Sequence, residues 1–369
     1  MDDRIDRLQR ISANTRGLLS LAGGLPADEL LPRRELAKAF LSVATGKANG
    51  LQYGWPEGSE GLRSWIAARL VARGAAVTAG DVIVTSGAQQ ALAIAADLVG
   101  IAGRVVATED ETYPGALDLF RGRGARTVGS ETRGAPEGSA CAYVVAGATN
   151  PRGLPMSGAR RHGLLASGAA LIVDEAYAEL RFDGVVEEPL LASARDRVFH
   201  VGTFSKTLAP GLRVGWLVPP PHLAADALRV KRDLDLQASG LAQAVLEAHL
   251  ARTDFDEWLS RARRTYASRA ARLVGALRRE LPWVRFIEPR GAFAVFVETD
   301  LGPIDEARAL AVATSHGVSY DPGSAFRPGG ELEPFGFRLC FSALGGDAID
   351  EAVRRLARAL REVRALRAA

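Results

Sequence analysis

Cysteine is nearly absent from this chain of 369 residues: Cys141 and Cys340 are the only two, each inside an apolar run. A disulfide framework is thereby excluded, and buried thiols in a reducing compartment are expected. Histidine is also scarce, and His162, His200, His222, His249 and His316 include no pair at metal-ligand spacing, so no metal is expected. No apolar stretch approaches a membrane span and Met1-Asp2-Asp3-Arg4 opens no signal region, which makes a cytoplasmic chain with no membrane partner the expectation. An excess of one charge is missing too, since 46 Lys and Arg against 43 Asp and Glu leave +3. The basic residues are spread along the chain, as in Arg33-Arg34 and Arg354-Arg355, so a solvated face is expected and a nucleic-acid surface is not. The most informative scarcity is lysine: of the 46 basic residues only Lys38, Lys47, Lys206 and Lys231 are lysine. Arginine cannot form a Schiff base, whereas lysine can once its amine is desolvated or set near another cation.

What the chain does contain, 47% hydrophobic and 24% charged residues, is ordinary for a globular enzyme of about two domains. In Gly202-Thr203-Phe204-Ser205-Lys206-Thr207-Leu208-Ala209-Pro210-Gly211-Leu212-Arg213 one lysine lies between small hydroxyls with an arginine further on. Apolar runs at 198–201 and 214–218 flank it, so the lysine falls at a strand end, where α/β sheets build sites. From Asp81 a strand at 82–85, the turn Ser86-Gly87-Ala88-Gln89-Gln90 and a helix at 91–99 follow one another. Free N–H groups at a helix start plus a serine hydroxyl can hold a phosphate, although many strand-helix turns share this outline. Strands at 104–107, 142–148 and from Ala170 into Asp174 alternate with helices at 116–122 and 157–167, and the strand ends carry Ser86, Tyr113, Asn150, Asp174 and Lys206. The alternation predicts a mainly parallel sheet with helices on both faces.

Before the sheet, Ile5, Leu8 and Ile11 at helical spacing run into the glycine turn Leu21-Ala22-Gly23-Gly24-Leu25-Pro26. Helices at 33–43 and 59–73 bracket a loop whose aromatics, Tyr53 and Trp55, mark an interface. After it, helical patterns at 222–250 and 254–280 lead to an α+β unit with strands at 283–287, 293–297 and 337–341 and helices near 305–316 and 347–366.

A lysine, a phosphate cradle, an aspartate at a strand end and a tyrosine three residues later are what pyridoxal phosphate requires. Lys206 would form the aldimine and Asp174 would keep the pyridine nitrogen protonated. Tyr177 and Asn150 could bond the ring O3′, and Tyr113 offers a face for stacking. Thr203, Ser205, Ser86 and Arg213 would hold the phosphate. Taken singly, the aspartate also reads as a cap, the tyrosine as core and Asn-Pro as a turn.

The ordered set of motifs resembles fold type I pyridoxal-phosphate enzymes of the class I/II aminotransferases, nearest the 2-aminoadipate and kynurenine aminotransferases and the aminotransferase-like domains of MocR regulators. Leu21-Ala22-Gly23-Gly24-Leu25-Pro26 is similar to that branch's glycine turn, and Leu51-Gln52-Tyr53 to the segment whose tyrosine reaches the partner subunit's phosphate. Ser86-Gly87-Ala88-Gln89-Gln90 resembles its phosphate turn, Thr112-Tyr113-Pro114-Gly115 its ring-stacking segment and Asn150-Pro151-Arg152-Gly153 its Asn-Pro-x-Gly. Asp174-Glu175-Ala176-Tyr177 and the lysine loop through Arg213 also match, and Gly336-Phe337-Arg338-Leu339-Cys340-Phe341-Ser342 resembles the strand whose arginine binds the substrate α-carboxylate.

The resemblance implies a three-layer α/β fold with a mainly parallel seven-stranded sheet and a smaller α+β domain. It divides the chain into an N-terminal segment 1–35 packing with the small domain, a large cofactor domain 36–245 and a small domain 246–369. It implies ping-pong transfer of an amino group between an α-amino acid and a 2-oxo acid, with Lys206, Asp174 and Tyr177 catalytic. Ser86, Gly87, Ala88, Tyr113, Asn150, Thr203, Ser205, Arg213 and Tyr53 join these three around the cofactor, and Gly24, Asn150 and Arg338 bind substrate. A homodimer follows, with Tyr53 crossing to the partner's site. Two features depart from the branch: Arg152 replaces a small polar residue, favouring an acidic substrate or pointing to solvent, and 291–296 lacks a second glycine and a tryptophan. Arg7, Arg10 and Arg16 are candidates to approach the pocket or to line a helix surface. Decarboxylation, racemisation, carbon-sulfur lysis and a non-catalytic cofactor-sensing domain are the alternatives; against the last, only about twenty residues precede the glycine turn, too few for a winged helix.

Overall fold

Short runs rich in β-branched residues build the central sheet of the chain, seen in a computed structural model that describes residues 17–46, 50–130, 134–302, 304–331 and 334–368. Its strands are β1 (Ile83–Thr85), β2 (Val105–Thr108), β3 (Arg126–Gly129), β4 (Cys141–Val145), β5 (Ala170–Asp174), β6 (Val198–Thr203) and β7 (Gly215–Val218), in the order β1-β7-β6-β5-β4-β2-β3. β2 pairs parallel with β3 and β4, and β4, β5 and β6 pair parallel in turn. β7 alone is reversed, antiparallel to both β6 and β1. Alternation along the strands covers both faces: Ala142, Val144, Leu171 and Val173 enter one apolar core, and Tyr143, Val145, Ile172 and Val201 the other. Helices therefore pack on both sides, which gives the mainly parallel seven-stranded, three-layer arrangement that the sequence leads one to expect.

The helices are α1 (Arg33–Thr45), α2 (Glu60–Ala72), α3 (Ala88–Val99), α4 (Pro114–Gly122), α5 (Gly158–Ala166), α6 (Leu190–Ser193), α7 (Ala224–Asp235), α8 (Gly240–Leu250), α9 (Phe255–Glu280), α10 (Glu306–Ser315) and α11 (Gly346–Ala368). The single helical pattern expected over 222–250 is in fact two helices, because Leu236 adopts a left-handed φ of 58° and turns the chain between α7 and α8. Strand β3 lies beyond the sequence expectation.

A second, antiparallel sheet orders β8 (Arg285–Phe286), β9 (Ala294–Glu298), β10 (Asp321–Pro322) and β11 (Gly336–Cys340) as β10-β11-β9-β8. Its register sets Arg338 opposite both Asp321 and Phe296. The segment leading into the glycine turn forms a separate two-stranded sheet, Leu19–Ser20 parallel with Val318–Ser319, and meets the second sheet where Cys340 N donates to Leu21 O at 2.7 Å. The expected helix through Ile5, Leu8 and Ile11, and Arg7, Arg10 and Arg16 with it, lies outside the described residues.

Candidate active site

Lys206 is placed by anchors on either side of it. Phe204 is buried against the rings of Trp65 and Trp216 at 5.6 and 5.2 Å, and its N–H donates to Val214 O at 3.1 Å. Arg213, at a left-handed φ of 52°, returns the chain into β7. Between them Lys206 Nζ donates to Gly24 O at 3.0 Å and faces the rings of Tyr177 and Phe293 at 5.8 and 6.0 Å. Burial, reinforced by the Arg338 guanidinium, lowers this amine to about 8, although Asp174 pulls the other way.

Asp174 closes β5 beside Val145 and Val201 and is 4% exposed. Ala176 N donates to its Oδ1 and the Tyr143 hydroxyl to its Oδ2, each at 3.0 Å. Burial raises this carboxyl, and the hydrogen bonds and Lys206 partly offset the rise. Tyr177, one turn on, packs edge-on against Phe293 at 5.2 Å, and burial drives its phenol upward. Tyr113, at the start of α4, is also raised by burial, and Gly115 makes room for it: a Cβ there would lie 2.5 Å from the phenol.

An anion cup opens at the end of β1. Gly87 has a φ of 82°, and a Cβ on it would lie 2.6 Å from Arg213 Nη2. Only glycine admits both that dihedral and that guanidinium. α3 then starts at Ala88 with no side-chain cap, so its first N–H groups stay available. Thr203 and Ser205 sit behind the lysine with their hydroxyls 3.0 Å apart, Ser205 N donating to Thr203 Oγ1 at 3.1 Å. Uncapped helical N–H groups, an arginine and small hydroxyls fit a phosphate monoester. Ser86 Oγ is turned to Asp235 Oδ2 at 3.0 Å.

On the small-sheet side, Arg338 is 6% exposed, and three of its five N–H donors are engaged, which leaves one on each terminal nitrogen. Nε and Nη2 donate to Asp321 Oδ2 at 3.0 and 2.7 Å, Nη1 donates to Asn150 Oδ1 at 2.8 Å, and the guanidinium lies 4.6 Å from the Phe326 ring centroid. The same Asp321 oxygen accepts from Gly23 N at 3.0 Å, tying the glycine turn to the arginine. Gly24, at a φ of 58°, faces both ends of the site: a Cβ there would lie 3.7 Å from Arg338 Nη2 and 3.8 Å from the Tyr177 hydroxyl.

The fold thus gathers Lys206, Asp174, Tyr177, Tyr113, Asn150, Arg338, Arg213, Gly24 and the 86–88 turn. Tyr53 stands apart, 78% exposed on its loop. Arg152 does not point to solvent: it donates to Glu111 at 2.9 Å and Glu298 at 3.0 Å and lies 5.1 Å from the Phe296 ring, so its charge is consumed. Sequence reasoning missed Asp321, Tyr143 and Asp235. Asp321-Pro322-Gly323 carries turn chemistry, Tyr143 sits within an apolar run, and Asp235 belongs to a charged helix face; none announces a partner far away in the chain.

The chain matches the family described as Aminotransferase class I and II over residues 17–356. It is 33% identical over 372 residues to the 2-aminoadipate transaminase of Thermus thermophilus, covering 95% of this chain and 92% of that protein. Among solved structures it is similar to the α-aminoadipate aminotransferase of Thermus thermophilus complexed with N-(5′-phosphopyridoxyl)-L-leucine, with TM-score 0.87, 31% identity and coverage of 97% and 95% of the two chains. It is likewise similar to the kynurenine aminotransferase of Pyrococcus horikoshii in complex with pyridoxamine phosphate, with TM-score 0.88, 28% identity and coverage of 97% and 94%. With a buried lysine, a strand-end aspartate and a phosphate-shaped cup in one cleft, this chain belongs to the class I and II aminotransferases and is a pyridoxal-phosphate-dependent aminotransferase of fold type I.

Proposed function

We propose that Lys206 is the base that moves the proton at the substrate Cα, in a ping-pong transfer from an α-amino acid to a 2-oxo acid. The observation that carries this is the Lys206 amine itself, lowered to about 8 in a cleft that also holds Arg338 and Asp174. Pyridoxal phosphate, when bound, supplies an electron sink for the pair released at Cα. Every other task falls to this chain's residues. Ser86, Gly87 and Ala88 at the start of α3, with Thr203, Ser205 and Arg213, form the phosphate cup. Asp174, anchored by Ala176 N and Tyr143, keeps a proton on the pyridine nitrogen. Asn150 gives its Oδ1 to Arg338, which leaves its amide N–H groups to donate to the ring hydroxyl beside Tyr177. Tyr113 covers the ring face.

Arg338 binds the α-carboxylate and so orients the Cα–H bond toward Lys206, a contribution made by positioning. Its guanidinium is held on three sides by Asp321, Asn150 and Phe326, so little side-chain freedom is left to lose when substrate binds. The Gly24 carbonyl holds the amine in the cleft between proton transfers. Phe293 and Phe326 line this part of the cleft, and Arg152, neutralised by Glu111 and Glu298, offers no free cation to a substrate side chain.

A homodimer completes the site in this reading. Exposed Leu51, Tyr53 and Trp55 lie close to exposed Leu234 and Leu236, because Gly54 N donates to Gln237 Oε1. A patch of this kind on one surface is characteristic of an interface. Tyr53 would cross it to the partner's phosphate.

The test is a half-reaction: loaded protein is mixed with a panel of amino acids and no 2-oxo acid, and its absorbance is followed. Conversion to the pyridoxamine phosphate spectrum with release of the matching oxo acid supports the reading. Appearance of an amine and carbon dioxide, or no reaction across the panel, would refute it.

A further inference from the structure

A closed ring of hydrogen bonds stands behind the first turn of α3. Ser86 N donates to Gln90 Oε1 at 2.8 Å, Gln90 Nε2 donates to Asp235 Oδ2 at 2.8 Å, and Ser86 Oγ donates to the same Asp235 oxygen at 3.0 Å. The second carboxylate oxygen, Oδ1, accepts from Lys231 Nζ, one turn earlier on α7. The Lys231 side chain is wholly buried, whereas Lys38 lies exposed on α1. Burial alone would raise the Asp235 carboxyl, but the hydrogen bonds from Lys231, Gln90 and Ser86 outweigh it and hold it below the usual range.

Burying a lysine to pair it with a half-buried carboxylate is a poor way to fill space beside a neighbouring helix, since an apolar residue of similar volume does so as well or better. This pair is also not idle, because it spends its free oxygen on the two side chains that frame the cup. Asp235 takes the only proton of the Ser86 hydroxyl, and Gln90 takes the Ser86 N–H. The Ser86 carbonyl in turn faces Arg213 Nη2 at 3.4 Å. Every polar atom of Ser86 is thus committed, and the N–H groups of Ala88 and Gln89 are the ones left at the uncapped helix start.

We propose that the Lys231–Asp235 pair is the positioning element of the phosphate cup, locking Ser86 and Gln90 so that the start of α3 is already aimed at the phosphate before the cofactor arrives. The inference rests on the cup assigned above. In it Ser86 supports the cup through Asp235 rather than donating to the phosphate itself. The pair acts on the phosphate end of the cofactor and not on the ring, so its loss weakens pyridoxal phosphate selectively over pyridoxal, which has no phosphate.

The experiment titrates the full-length chain, stripped of cofactor, with pyridoxal phosphate and with pyridoxal, and takes the ratio of the two dissociation constants. Loss of one charge-assisted hydrogen bond is worth about tenfold in an equilibrium constant, so Asp235→Asn is expected to lower the preference for the phosphorylated form by about tenfold, with pyridoxal affinity unchanged. Lys231→Met with Asp235→Leu removes both charges together, keeps the chain folded if the single variant does not fold, and is expected to show the same selective loss. A folded variant whose preference equals that of the parent chain overturns the proposal, as does one that loses both ligands equally. Arg213→Ala serves as the control: selectivity lost there but kept in the Asp235 variants defeats the positioning role alone, while selectivity kept in both defeats the cup.

Discussion

The depressed Lys206 amine has consequences that pH exposes directly. An ordinary lysine at 10.5 would be neutral in about one molecule in three thousand at pH 7, whereas at about 8 the neutral fraction is about one in ten, a gain of roughly 300-fold. Cofactor capture by the stripped protein requires the neutral amine, so its rate should rise with pH and level off above about 8. Arg338→Met removes the second-largest cause of the depression and should move the half-maximal pH upward. Stability carries the same signature with an unusual sign. The unfolded lysine holds its proton up to about 10.5 and the folded one only to about 8, so between these values the unfolded state binds more protons and stability rises with pH. Below pH 8 the burial costs up to about 3 kcal/mol, which Lys206→Met should recover in the stripped protein. The assay is stopped-flow absorbance for capture and urea unfolding of both proteins at pH 7 and pH 10. Capture that climbs without a plateau to pH 10, together with no gain in stability from Lys206→Met at pH 7, would refute the reasoning.

Further outcomes follow from the same geometry. Arg338→Ala should cut kcat/KM by about 100-fold, chiefly through KM, because a bidentate charge-assisted contact to the α-carboxylate disappears; steady-state kinetics with an unchanged KM would reject its role. Gly87→Ala should weaken cofactor binding by at least about tenfold, since the added Cβ would lie 2.6 Å from Arg213 Nη2 in a backbone already at a φ of 82°; equilibrium titration with wild-type affinity would rule out that packing. Mixed dimers of Lys206→Ala and Tyr53→Ala subunits should regain activity that neither variant shows alone, because the subunit keeping Lys206 then receives Tyr53 from its partner. Failure of properly formed hybrids to recover would show that Tyr53 does not cross.

Much of the cleft could be read before its geometry was known, because its parts are local. Lys206 in its Pro/Gly loop, Asp174 at a strand end and the Ser86-Gly87-Ala88 turn each carry their backbone context with them. Arg338 was legible only through family resemblance, since nothing within β11 tells a site arginine from a surface one. What escaped depends on distant partners. Asp321 looks like the start of a turn and becomes a fully buried counter-ion only when β10 pairs with β11. Lys231 sits in a strongly charged helix, and its burial against the phosphate turn follows from packing of α7 on α3. β3 was missed because Arg126-Thr127-Val128-Gly129 is a short, half-exposed edge strand, too brief for alternation to show. The break at Leu236 carries no glycine or proline, so the helical pattern reads straight through it.

The most direct measurement is a single turnover with excess loaded protein over an amino acid that it accepts, in the absence of any 2-oxo acid, comparing the parent chain with Lys206→Ala. The parent should release its oxo acid within the first turnover, and Lys206→Ala should bind the amino acid but release no oxo acid on that timescale while keeping the parent's circular dichroism. Oxo acid formation by Lys206→Ala at a rate near the parent's would contradict the assignment of Lys206 as the base.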